Sequence, residues 1–168
     1  MDARSKITLQ MEGREEMSNN YLGTNVVSQI GLIVQDIEKT SEAYAEFFGV
    51  DKPNIFWTDE WDKSKAEYKG EPCEARAKLA FFNMGSLQLE LIEPDEKPST
   101  WREFLDSKGE GVHHIAFTID GMKEKINILN EHQMPCIQKG EYEGGRYSYI
   151  DTVKQLKVLI EILENDQK

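Results

Sequence analysis

Residues 29–34 read QIGLIV and residues 114–119 read HIAFTI, two runs with the same apolar rhythm 85 residues apart. Each reads as a strand buried on both faces, the first within a wider run from Val26 to Gln35. Each is followed by a helical pattern. Asp36 caps the first, which carries Ile37, Tyr44, Phe47 and Phe48 on one face and stops at Gly49. Met122, Ile126 and Leu129 mark the second, which closes near Pro135. Two strands then follow in each half. Arg76–Asn83 and Ser86–Ile92 are joined by a tight turn at Met84-Gly85, and Arg146–Asp151 and Leu156–Leu163 follow Gly144-Gly145. Between the halves, Pro94 and Pro98 bracket a linker, and Thr100-Trp-Arg-Glu103 has capping-box spacing, opening a short helix with Trp101, Phe104 and Leu105 inward. Strand, helix, strands, repeated once, is an internal duplication. The resulting organisation is an N-terminal arm over 1–24, a first module over 25–98, and a linker helix with the second module over 99–168.

The chain has 168 residues and a formal charge of −11, from 20 Lys and Arg against 31 Asp and Glu, which argues against nucleic acid as a partner because phosphate binding needs a basic footprint. No apolar run is long enough to span a membrane, and the first residues lack the apolar core of a secretion signal, so a cytoplasmic protein is expected. Cys73 and Cys136 form no CxxC motif and read as ordinary thiols.

The duplication also aligns polar residues. Glu90 lies inside LQLELIE and Glu161 inside LKVLIEILE, 71 residues apart, each a carboxylate in an otherwise apolar strand. Gln29 pairs with His114 in the same way. Two buried carboxylates converging across a pseudo-twofold axis repel strongly unless paired or bound to a cation. A divalent ion cancels both charges, with Gln29 and His114 adding one oxygen and one nitrogen donor. Such a set suits Co, Mn, Ni, Zn or Mg and is unlike a structural thiolate zinc site. Period-two alternation turns only one of the adjacent histidines to this face; His114 matches Gln29, so His113 is expected to point elsewhere, and His132 to lie on the surface.

The segments QIGLIVQDIEKTSEAYAEFFGV, LQLELIEP, GVHHIAFTI and KVLIEIL resemble the vicinal oxygen chelate superfamily, from Val26 to Glu164. The resemblance implies an α+β fold of two βαβββ modules forming a cupped mixed sheet, with a metal held at Gln29, Glu90, His114 and Glu161. LELIEP and GVHHIAF look most like methylmalonyl-CoA epimerase and its bacterial relatives. Many members have His at the first ligand position; Gln29 is a departure, shared with eukaryotic glyoxalase I. The places where glyoxalase I carries its glutathione-binding Arg and Asn hold Ile33 and Pro94. Counting back from Glu90, Glu74 falls where the epimerases have a catalytic Glu, and its counterpart in the second half is Gly145, which leaves room there. Lys157 stands where relatives often have Gly before the last strand.

The resemblance therefore implies a metal-dependent epimerase of an α-carboxylated acyl-CoA thioester, with Glu74 and Glu161 as the acid–base pair on opposite faces. Lys63, Lys65, Lys69, Arg76 and Lys78 would form a positive rim for the CoA tail, and a homodimer is compatible with it. The alternatives are a glyoxalase-I-like lyase with Glu161 as base, and a non-catalytic small-molecule binding or resistance protein. An iron-dependent ring-cleaving dioxygenase is disfavoured, because its triad needs two His and a carboxylate.

Overall fold

The computed structural model describes residues 20–167; most of the expected arm lies outside them. The elements in chain order are β1 (Gln29–Ile33), α1 (Ile37–Phe48), β2 (Phe56–Trp57), α2 (Trp61–Ser64), β3 (Glu67–Tyr68), β4 (Glu71–Pro72), β5 (Ala77–Asn83), β6 (Gln88–Pro94), α3 (Thr100–Lys108), β7 (Gly111–Thr118), α4 (Met122–Glu131), β8 (Cys136–Tyr142), β9 (Gly145–Ile150), α5 (Val153–Leu156) and β10 (Leu159–Asn165).

The strands form one curled mixed sheet in the order β2-β5-β6-β1-β7-β10-β9-β8-β3-β4. β1 and β7 meet antiparallel at the centre, β6 lies parallel to β1 and β10 parallel to β7, so the two halves mirror each other about the β1–β7 seam. The duplication read from sequence is this symmetry. Alternation along β10 shows how a glutamate comes to sit in an apolar strand. Ile160 and Ile162 pack with Met122 and Leu129 of α4 on the convex side, and Glu161 between them faces the concave side. On the first half, Ile37 and Ala45 of α1 pack likewise on Ala80 and Leu91. Trp101 and Leu105 of α3 join Ile33, Ile92 and Tyr149 in a third cluster.

Several local expectations shift. The Asp36 side chain accepts from the Lys39 amide, and Gly49 takes the left-handed conformation at φ 65°, as expected for the α1 caps. Phe47 and Phe48, however, are 81% and 43% exposed: Phe47 lies off the inward stripe of Ile37, Ser41 and Ala45, and Phe48 is the last residue of the helix, stacked on Tyr44. Ser99, one residue before the expected cap, receives the Arg102 amide at the start of α3. The last strand begins at Leu159, since residues 153–156 make a helical turn that ends with Lys157 at φ 69°. A glycine would take that left-handed position without strain, whereas here lysine bears it. Tyr21 and Leu22, at the end of the expected arm, pack against the second-half core.

The polar stretch after α1 breaks the symmetry. From β2 at one sheet margin it crosses the open side of the cup, and its β3–β4 hairpin pairs through β3 with β8 of the other half. Lys69 N–H donates to the Ile137 carbonyl at 2.8 Å, and Tyr68 and Lys69 both reach Glu103 on α3. Residues 58–72 are thus a strap roofing the concave face.

Candidate metal centre

The strand register builds the site in two rows. Gly31 lies between Glu90 on one side and His114 on the other, and Leu159 follows beyond His114. One step along, Gln88, Gln29, Ala116, Glu161 and Tyr149 are successive neighbours. Each central donor therefore faces a small residue: His114 faces Gly31, and Gln29 faces Ala116. A Cβ on Gly31 would stand 2.0 Å from His114 Cε1, so the imidazole lies across the space a side chain would fill. Glycine in a strand interior marks such a close approach, and in QIGLIV it is the signal that sequence reading passed over.

Glu90, His114 and Glu161 are 6%, 0% and 3% exposed, and their donor atoms lie within 4.8 Å of one another. His114 Nε2 is 3.3 Å from Glu90 Oε2 and 3.1 Å from Glu161 Oε2. None of these three atoms is in an aligned hydrogen bond. Gln29 is buried beside them, its amide oriented by donation to Gln88 Oε1 at 2.7 Å. Burial alone would lower the His114 pKa, but the close carboxylates of Glu161 and Glu90 push it up to about 10. Burial likewise raises the Glu90 carboxyl. A proton on His114 offsets only one of two carboxylate charges, so an oxygen-rich, unpartnered, buried set remains that could hold a metal ion.

His113 is a buried packing residue outside the cavity lining, placed beside His114 by an irregularity of the strand. Gly31 pairs with His114 and Leu32 with Val112, which leaves His113 as the extra residue of a β-bulge. The bulge suspends alternation, and both histidines are buried. The ring of His113 stands edge-on to Phe104 and Tyr149, and burial keeps its pKa well below the usual range.

Glu74 is not brought to this site. Its side chain is 73% exposed and pairs with Lys97 at 2.9 Å. Its neighbour Ala75 is the residue that turns inward. Gly145, expected to leave room, instead permits contact: a Cβ there would meet the Glu164 carbonyl at 2.5 Å.

Above the donors lies a cavity of about 610 Å³ between sheet and strap. Aromatic residues contribute to its walls, among them Phe56, Trp57, Phe81, Trp101, Tyr147 and Tyr149. Among the described residues its lining contains Asp59, Glu141 and Glu143 besides Glu90 and Glu161, and no Lys or Arg. Of the five cations of the expected positive rim, four are paired with carboxylates. Lys63 meets Asp59, Lys69 meets Glu103, Arg76 meets Glu60 and Lys78 meets Glu93, while Lys65 lies over the Trp61 ring.

Comparisons with known proteins agree with this architecture. Residues 28–150 match the model of the Glyoxalase/Bleomycin resistance protein/Dioxygenase superfamily. An uncharacterized protein of Bacillus subtilis (strain 168), YqjC, is 34% identical over 94 residues, covering 54% of this chain and 67% of its own. Methylmalonyl-CoA epimerase from Mycobacterium tuberculosis superposes with a TM-score of 0.57 at 22% identity, over 87% of this chain and 93% of the other. A variant of the Streptomyces coelicolor epimerase in complex with 2-nitronate-propionyl-CoA gives 0.57 at 20% identity, over 84% and 97%. At such identities the structural likeness establishes the fold. The duplicated cupped sheet and the matched residues together establish that the chain belongs to the Glyoxalase/Bleomycin resistance protein/Dioxygenase superfamily, also called the vicinal oxygen chelate superfamily.

Proposed function

We propose that this protein is a divalent-metal-dependent isomerase that moves a proton at a carbon next to a carbonyl group, with methylmalonyl-CoA-type epimerisation as its specific form. The observation that carries the reading is the convergence of three buried donor atoms, on Glu90, His114 and Glu161, none of them hydrogen-bonded among the described residues, beneath a roofed cavity that Glu90 and Glu161 line. Those residues, with the Gln29 amide oxygen, would hold the ion. When bound, the ion supplies Lewis acidity that makes the neighbouring C–H more acidic.

The chain's own residues supply the rest. Glu161 lines the cavity and is the carboxylate positioned to hold the abstracted proton. The aromatic walls and the strap exclude water, which strengthens every charge interaction inside. Inversion at carbon needs a second acid on the opposite side of the substrate. With Glu74 on the surface, that role falls to Asp59, Glu141 or Glu143, the remaining carboxylates of the lining.

A second reading, a glyoxalase-I-like lyase acting on a hemithioacetal, has its own support. It needs only one base, and among the described residues the lining holds no Lys or Arg to serve as counter-ion for a phosphorylated tail. One experiment addresses both. Metal content is measured on the purified chain, which is then incubated in D2O with methylmalonyl-CoA, or with methylglyoxal plus a small thiol. Deuterium entering the α-carbon of the thioester supports epimerisation, and thiol-dependent consumption of methylglyoxal supports the lyase. A chain that binds no divalent ion and exchanges neither substrate overturns the proposal.

A further inference from the structure

His113 Nδ1 lies 3.1 Å from His114 Nδ1, in a buried contact between adjacent residues. Ordinary strand geometry would send these side chains to opposite faces, and the bulge at His113 is what brings the ring nitrogens together. A neutral imidazole has one donor and one acceptor nitrogen, so one ring must donate at this contact and the other accept. The other nitrogen of His114, Nε2, faces Glu90 and Glu161. To ligate through Nε2, His114 must carry its proton on Nδ1, and the group there to receive it is His113 Nδ1. His113 then holds its own proton on Nε2, an atom in no well-aligned hydrogen bond among the described residues, in a ring edge-on to Phe104 and Tyr149.

We infer that His113 is a positioning residue: accepting the Nδ1–H of His114 selects the tautomer and ring orientation that present Nε2 to the metal. The inference rests on the metal-centre reading above and adds a residue outside the expected ligand set. It also gives the bulge a purpose, since a regular strand would place no acceptor at that point. Partners of this kind, hydrogen-bonded to the far nitrogen of a ligating histidine, typically change metal affinity by about 10- to 100-fold when removed.

The test compares His113→Leu, which removes the acceptor, with His113→Asn, whose side-chain oxygen can stand near the Nδ1 position. Each full-length chain is stripped of metal, and its Co²⁺ affinity is measured by competition with a chelating dye; the cobalt absorption bands and metal-free thermal unfolding are also recorded. The expected result is a Kd raised about 10- to 100-fold with shifted cobalt bands for Leu, and a Kd within about threefold of the parent for Asn. Because metal-free unfolding reports packing separately, a folded Leu variant with unchanged Kd and bands overturns the inference. If Leu does not fold, Asn and His113→Gln decide it: loss of affinity in both, despite parental metal-free stability, overturns it. A parent chain that binds no cobalt fails at a different step and takes the metal-centre reading down with this one.

Discussion

Replacing Gly31 with alanine tests the packing on which the site depends. Gly31 is not among the residues with positive φ, so its backbone accepts a side chain. At such a position Gly→Ala ordinarily stabilises by about 0.4–1 kcal/mol, through the unfolded chain. Here the added Cβ would meet His114 Cε1 at 2.0 Å and both ring nitrogens at 2.5 Å. Those atoms belong to a ring closed in on all sides, so relief requires moving the imidazole or the strand. Overpacking of this kind costs about 1–3 kcal/mol. For a chain of this size that is a loss of about 2–12 °C in Tm, at about 2–4 °C per kcal/mol. The same substitution in a His114→Ala background has no ring to strike, and there Gly31→Ala should be neutral or stabilising by up to about 1 kcal/mol. The four proteins form a double-mutant cycle, measured by urea unfolding in the presence of a chelator. An equal cost of Gly31→Ala in both backgrounds would refute the reasoning, because the penalty would then not arise from the histidine.

Other expectations follow from particular contacts. Glu74→Gln removes one exposed ion pair with Lys97 and should leave stability within about 0.5 kcal/mol and cobalt affinity unchanged, as read by thermal unfolding and dye competition. Tyr149→Phe deletes the buried acceptor of the Trp101 indole N–H, 3.0 Å away, and should cost about 1–3 kcal/mol in urea unfolding. Glu164 accepts from the Gly121 and Met122 amides and pairs with Arg146; burial raises its carboxyl, but these contacts prevail and hold it below its usual range. Its contribution is therefore present above the unfolded carboxylate value of about 4.3 and lost as pH falls through the lower folded one, so the stability gap to Glu164→Gln should narrow steadily as pH falls below that unfolded value. Glu103→Gln weakens the tie to Tyr68 and Lys69, and faster hydrogen exchange at the Lys69 amide, with core strands unchanged, is the expected sign.

Where local pattern and tertiary packing agree, the sequence was a good guide. The central strands, both long helices and the alignment of Gln29, Glu90, His114 and Glu161 all follow from period-two and period-3.6 repetition, which backbone geometry enforces. The failures have physical causes. Counting residues back from Glu90 reached Glu74, but a count says nothing about which way a side chain turns before a strand, and Ala75 faces inward instead. The contact of His113 with His114 was not legible, because a bulge interrupts the period-two alternation of a regular strand. Phe47 carries the right chemistry for a core but lies off the stripe that Ile37, Ser41 and Ala45 bury, and Phe48, on that stripe, ends the helix with too little beyond it to cover its ring. The strap was invisible because its strands are two residues long, too short for any periodicity, and their pairing with β8 is decided by a distant part of the chain.

That strap has a consequence for how the molecule can diversify. The floor is made twice over from matched halves, so altering one of its strands disturbs a partner across the seam. The roof is made once, from a single stretch with no twin. A chain built this way can reshape its doorway by lengthening or shortening one surface segment while the foundation stays as it is, so whatever molecule it admits is a choice written above the chemistry, not within it.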